Sequence, residues 1–189
     1  MNSLNIMVVG VGGQGTLLTS RIIGRVALSR GYDVKMSEVH GMAQRGGSVV
    51  TFVRFAKTVR EPIVEEGDAD LLISFEKLEA LRYAHFLKKS GKIIVNDCTI
   101  LPMTVVTGAA SYPDNIIETL KSDHDVTVID GNKIAAELGN SKVSNSAVLG
   151  AAARVIGFEK DIWLSAIEQS VPPKTIDINK KAFLMGYGE

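Results

Sequence analysis

The stretch Met7-Val8-Val9-Gly10-Val11-Gly12-Gly13-Gln14-Gly15 decides the fold, because an apolar run passes into Gly-x-Gly-x-x-Gly and then into residues 16–30, which carry helical periodicity. In such a turn Gly10 lets the chain leave the strand tightly, Gly12 admits a pyrophosphate close to the backbone, and Gly15 lets the helix lie close on the sheet. The helix start then presents N–H groups and a positive dipole end to an anion. The same glycines serve any tight strand-to-helix turn, so a purely structural role stays open.

Working outward, residues 4–9 read as a buried parallel strand, and Leu18, Ile22 and Val26 recur at helical spacing with Arg21 and Arg25 on the opposite face. Gly31 is placed to end that helix, and residues 33–37 read as a second strand completing a βαβ unit. Residues 48–55 alternate as a strand, with Val49, Thr51, Val53 and Phe55 on one face and Val50, Phe52 and Arg54 on the other. No helix-length crossover precedes it. Residues 57–62 read as a turn into a short returning segment, giving an antiparallel hairpin.

Residues 69–75 form a strand, 76–89 a helix and 92–96 a strand, with Ser90-Gly91 as punctuation; 113–122 are helical, 126–130 a strand and 133–138 a short helix. Three more helices, at 145–156, 162–170 and 179–185, finish the chain. The expectation is one α/β domain over residues 1–189: a three-layer α/β/α fold with a mostly parallel sheet, an antiparallel hairpin and a helical C-terminal third. Ligands of such sheets gather at the carboxyl ends of the strands.

Composition narrows the function. Of the 189 residues, 46% are hydrophobic and 22% charged, so disorder and coiled coil are excluded. Lys and Arg total 21, as do Asp and Glu, which leaves no broad basic field for nucleic acid or an anionic membrane. No run approaches the ~18 apolar residues of a membrane span, and the start lacks a secretory pattern, so the cytoplasm is the expected compartment. The single cysteine, Cys98, cannot build an iron–sulfur cluster or a structural zinc site, and His40, His85 and His124 lie far apart, so no metal is expected.

The unusual segment is Glu38-Val39-His40-Gly41-Met42-Ala43-Gln44-Arg45-Gly46-Gly47. Arg45 is suited to hold a phosphate or carboxylate by paired hydrogen bonds, and Gly46-Gly47 would let backbone N–H groups reach the same anion. A surface turn with a solvated arginine is the plainer alternative. Glu38 falls where a nicotinamide enzyme keeps its ribose-binding acid, and His40 could serve as an acid, a base or a hydrogen-bond donor, a structural role being the plainer alternative. Asn145 reads as a helix cap or its neighbour, Glu76 and Glu79 as a helix first turn, and Cys98 as a small buried residue. No nucleophile elbow or Walker lysine is present, so the residues define a phosphate-type crevice without a catalytic group.

Taken together, Gly10-Val11-Gly12-Gly13-Gln14-Gly15 and Ser37-Glu38-Val39-His40-Gly41-Met42-Ala43-Gln44-Arg45-Gly46-Gly47-Ser48 resemble the gamma-type subunits and domains of the 2-oxoacid:ferredoxin oxidoreductases, most of all the small beta subunits of the indolepyruvate branch. The similarity continues through Gly67-Asp68-Ala69-Asp70, Phe75-Glu76-Lys77-Leu78-Glu79-Ala80-Leu81-Arg82, Asn145 with Leu149-Gly150, and Asn179-Lys180-Lys181-Ala182-Phe183, nearly the whole chain.

That resemblance implies oxidative decarboxylation of a 2-oxoacid with thiamine diphosphate, electron transfer through iron–sulfur clusters to ferredoxin, and capture of the acyl group on coenzyme A. An arylpyruvate such as indolepyruvate is the implied substrate, with pyruvate, 2-oxoglutarate and branched-chain 2-oxoacids as alternatives. The chain lacks cluster cysteines and the Gly-Asp-Gly thiamine signature, so both cofactors belong to a larger partner subunit, nothing is held tightly here, and the chain alone is expected to be inactive. Its implied part is to cover the partner's active site and help bind coenzyme A, with Gly12, Gly13, Gly15, Gln44 and Arg45 as contacts; Gly10, Gln14, Glu38, His40, Gly46 and Gly47 complete the candidate set. Isolated, it could self-associate. A free-standing nicotinamide dehydrogenase and a dinucleotide-sensing scaffold remain the competing functions.

Overall fold

The computed structural model describes residues 3–40 and 46–189. Strand β1 (Ser3–Val11) leads through the glycine turn to α1 (Thr16–Ser29), then β2 (Asp33–His40) and β3 (Ser48–Ala56). After residues 57–68 come β4 (Ala69–Ser74), α2 (Lys77–Tyr83), β5 (Leu87–Asn96), α3 (Met103–Val106), α4 (Ile116–Asp123), β6 (Asp125–Ile129) and α5 (Gly131–Glu137). Helices α6 (Ser144–Ile156), α7 (Lys160–Glu168) and α8 (Ile176–Tyr187) close the chain.

Among the described residues six strands form one sheet in the order β2-β3-β1-β4-β5-β6. β1, β4, β5 and β6 pair in parallel, whereas β3 is antiparallel to both β1 and β2. The alternation of β1 sends Ile6 and Val8 to a core shared with α1, α6, α7 and α8, and Met7 and Val9 to one shared with α2 and α4. Both faces are covered, which gives the expected three layers and the helical C-terminal third. Val53 and Phe55 of β3 enter the first core and Val50 and Phe52 the second, as their alternation requires.

Three expectations need correction. The hairpin is β2–β3, not β3 with a returning strand: residues 57–68 form none, and Asp33 Oδ2 instead accepts the Val59 N–H at 2.8 Å. Because β2 and β3 are separated by too few residues in sequence for a crossover, β3 pairs antiparallel to β2 and lies between β2 and β1, so the two strands of the first βαβ unit are not neighbours. Second, β2 runs on to His40, pairing Glu38 with Thr51 and His40 with Val49, which puts both candidate residues on a strand.

Third, the helix expected at 76–89 stops at Tyr83, and a 3-10 turn at Ala84–Phe86 releases the chain into β5 at Leu87. Burial of Ala84 and Leu87 in the second core overrides the helical pattern. Gly91 then lies inside the strand at a register shift, where a Cβ would stand 2.9 Å from the Ala69 carbonyl oxygen.

Helices α6 and α8 approach backbone to backbone. A methyl on Gly150 would run into the Phe183 carbonyl, and one on Gly186 into the Ala147 carbonyl. Trp163, fully buried, stacks with Phe183 at 6.2 Å between ring centroids, and its indole N–H donates to the Gly157 carbonyl at 2.8 Å. This packed block carries the N-terminus of α6 to the carboxyl edge of the sheet. Among the described residues no helix is long and apolar enough to cross a membrane.

Candidate functional site

At the carboxyl edge, β1 ends at Val11 and the turn tightens through a 3.1 Å hydrogen bond from Gln14 N–H to the Val11 carbonyl. Gly13 (φ 101°) and Gly15 (φ 90°) take positive φ there, which a residue with a side chain would resist. Gly12 N–H donates to the Gly47 carbonyl at 2.9 Å, so the two glycine segments are joined directly.

The side chain of Gln14 turns inward. Its Oε1 accepts the Val11 N–H at 2.7 Å, and its Nε2 donates to the Phe75 carbonyl at 3.0 Å and lies 3.9 Å from Cys98 Sγ. Asn96 continues the brace: Nδ2 donates to the same Phe75 carbonyl at 3.3 Å, and Oδ1 accepts the Gly131 N–H at 2.8 Å. Two amides thus tie together the ends of β1, β4, β5 and β6. Gly10 lies within β1 rather than at the turn, and its missing side chain makes room for Gln14, whose Oε1 would be 2.9 Å from a Cβ there.

On the other side of the turn lies a cleft of about 380 Å³, lined by Gly12, Gly13, Gly15, Thr16, Leu17, Glu38, His40 and Val49. The structure therefore gathers five of the candidates, Gly12, Gly13, Gly15, Glu38 and His40, around one space. Gly10, Gln14, Gly46 and Gly47 are not in its lining, and Gln44 and Arg45 lie outside the described residues. Thr16, Leu17 and Val49 were not anticipated, since nothing local marks which residues of a helix start or an inserted strand will face the cleft.

The electrostatics suit an anion on the α1 side. Gly15 is the N-cap of the 14-residue α1, with no side-chain cap and no acidic residue in the first turn. Glu38 faces this positive end from β2 and accepts a weak 3.4 Å hydrogen bond from Thr51. Asn145, in the first turn of α6, packs against Gly15, with its Cγ 3.2 Å from where a Cβ would stand; it is 6% exposed and its Oδ1 has no hydrogen-bond partner. It contacts the turn through space rather than capping its own helix.

Neighbouring elements fix the frame. The Ser48 hydroxyl, where β3 begins, donates to the buried Glu79 carboxylate and lies 3.3 Å from the Tyr83 hydroxyl, while Arg82 pairs with Glu79 at 3.2 Å. Glu76 is 1% exposed, and its carboxylate accepts the Glu79 N–H at 2.9 Å, the Ile100 N–H at 3.2 Å and the Tyr112 O–H at 2.6 Å. Glu76 is thus the cap of α2, inside the helix start the sequence suggested. Burial, and then the hydrogen bond to this carboxylate, push the Tyr112 phenol well above its ordinary pKa.

The donors present do not fit an iron–sulfur cluster: Cys98 stands alone beside Gln14, and among the described residues no group of three His, Cys, Asp or Glu side chains could hold a metal. The arrangement can hold an anionic ligand against a helix start.

Residues 5–189 match the model of the pyruvate ferredoxin/flavodoxin oxidoreductase family, and the chain belongs to it, as a small gamma-type subunit of a 2-oxoacid:ferredoxin oxidoreductase. Among its relatives, indolepyruvate oxidoreductase subunit IorB of Thermococcus kodakarensis is 43% identical, over 98% of this chain and 95% of its own. The fold is shared with pyruvate oxidoreductase subunit PORC of Thermotoga maritima (TM-score 0.75, 22% identity, 100% of this chain and 97% of that one). It is shared too with 2-oxoglutarate:ferredoxin oxidoreductase of Magnetococcus marinus, solved with 2-oxoglutarate, coenzyme A and succinyl-CoA bound (TM-score 0.75, 19% identity); there it covers 99% of this chain but 31% of the longer one.

Proposed function

We propose that this chain is the small subunit of an indolepyruvate-type oxidoreductase, that it closes over the active site of a larger thiamine- and cluster-bearing subunit, and that its cleft binds the phosphates of coenzyme A. The observation that carries the proposal is the uncapped start of α1 facing a cleft walled by Gly12, Gly13 and Gly15. Backbone N–H groups there meet an anion without a side chain in the way, and Arg45 and Gln44, on the adjoining segment, are assigned to the same ligand from the sequence. Electrons leave for ferredoxin through the partner's clusters, and the arylpyruvate preference follows the relatives' names.

Glu38 favours one other reading. An acid opposite the glycine turn would repel phosphate but would accept hydrogen bonds from the ribose hydroxyls of a nicotinamide dinucleotide. The reconstituted complex separates the two. In the coenzyme A reading, Arg45→Ala raises the KM for coenzyme A about tenfold, corresponding to one lost charge-assisted contact, and Glu38→Gln leaves that KM unchanged or lowers it. Unchanged KM in Arg45→Ala, together with stoichiometric NAD binding by the isolated chain that Glu38→Gln abolishes, would establish the dehydrogenase reading instead.

A further inference from the structure

After β5 the chain makes an excursion, residues 98–113, that contains α3 and carries no charged or histidine side chain, in a protein of which 22% is charged. The comparable uncharged stretch, residues 1–20, runs through β1 and the start of α1, where burial explains it. Burial does not explain the excursion. Leu101 is 50% exposed, Met103 70% and Val106 61%, and most of their neighbours are exposed as well. A solvated loop has no need of such a composition, whereas depletion of charge with apolar anchors marks the centre of a protein interface.

The arm is held at both roots. One oxygen of the buried Glu76 carboxylate, Oε1, accepts both the Ile100 N–H and the Tyr112 O–H, so the two ends of the arm meet at the start of α2. Compact loops with close ends are frequently functional, and a surface fixed in advance loses little freedom when it binds.

We propose that residues 98–113 are the docking arm by which this subunit seats on the larger, cofactor-bearing subunit of its own complex. The inference rests on the subunit reading above and adds the surface. The occupant is a protein rather than nucleic acid or an anionic membrane, because the arm has no basic group with which to meet either. It is the larger subunit because the fold recurs as 31% of one longer oxidoreductase chain, where it is covalently joined to the rest of that chain. The arm also leaves β5 at the carboxyl edge that bears the cleft, so one docked orientation would turn the cleft toward the partner.

The test is anaerobic titration of the larger subunit with this chain, without coenzyme A, comparing wild type with the double variant Leu101→Asp and Met103→Asp and, separately, with Val106→Glu. Each should weaken the complex by at least about tenfold while leaving the melting temperature of the isolated chain in place, since these side chains are exposed. A dissociation constant within about twofold of wild type for both variants overturns the proposal. So does loss of a homodimer with the heterocomplex intact, which would make the arm a self-association surface. The coenzyme A reading fails separately, through the KM of Arg45→Ala in a complex that still assembles.

Discussion

Gly15→Ala tests the turn and its contact with α6 together. Gly15 sits at φ 90°, so an alanine there carries left-handed strain of about 1–2 kcal/mol. Its methyl would also overlap the Asn145 amide, which is buried and held by the helix behind it; overpacking of that kind costs about 1–3 kcal/mol. The single substitution should therefore cost about 2–5 kcal/mol, by simple addition of the two. Asn145→Ala alone removes an amide whose Oδ1 has no partner and should lie within about 1 kcal/mol of neutral. In the double variant the overlap disappears and only the backbone strain remains, so the coupling between the sites should be about 1–3 kcal/mol and stabilising. Urea unfolding followed by circular dichroism reads this directly: with a slope of ~2 kcal/mol/M, Gly15→Ala lowers the midpoint by about 1–2.5 M, and adding Asn145→Ala restores about 0.5–1.5 M of that. Equal midpoints for single and double variants would show that the two residues do not meet, and that the start of α6 does not support the cleft.

Two further outcomes follow from the Glu76 cluster. Tyr112 has a raised folded pKa, by burial first and then by its bond to Glu76. Its contribution is therefore full below the ordinary tyrosine value of 10.0 and is lost as pH rises through the higher folded value. In an ultraviolet titration the wild type should show a tyrosine ionisation above the ordinary tyrosine range, and Tyr112→Phe should remove that late step; an unchanged curve would refute the assignment. Glu76→Gln keeps one oxygen but sets an NH2 group against donors that now meet a carboxylate, so it should cost about 2–3 kcal/mol. Proteolysis should then cut faster within residues 98–113 than elsewhere. Uniform cleavage would mean that the arm is not anchored there.

Much of the fold was legible because it rests on local rules. The end of α1 was readable from the place of Gly31 just after the helical run, where it stands at φ 81°, and the alternation in residues 48–55 assigned its two faces correctly. The strand pairing was not legible. Nothing within residues 48–56 states that they will pair with both β1 and β2, because that depends on which edges are left open by the rest of the sheet. The helix expected at 76–89 failed for a related reason: Leu87 gains more from the core between β5 and α2 than from another helical turn. In the candidate site, a glutamine in a glycine motif reads as a ligand contact, whereas its partners Phe75 and Cys98 stand 61 and 84 residues away. Asn145 reads as a helix cap or its neighbour, and it does lie in the first turn of α6, but nothing local tells that it packs on a turn 130 residues earlier.

By itself, the sequence determined the layered α/β architecture, the glycine turn at the start of α1, the lack of cluster ligands and the likeness to oxidoreductase subunits. These depend on residue identity and on spacings of two to four positions, where backbone sterics and the periodicity of burial act. Only the tertiary structure decided that β3 lies between β1 and β2, that Glu38 and His40 face the glycine turn across one cleft, that Gln14 braces the strand ends, and that an uncharged arm is rooted on Glu76. Those relations join residues far apart in the chain, and their geometry exists only once the sheet has closed and both of its faces are packed.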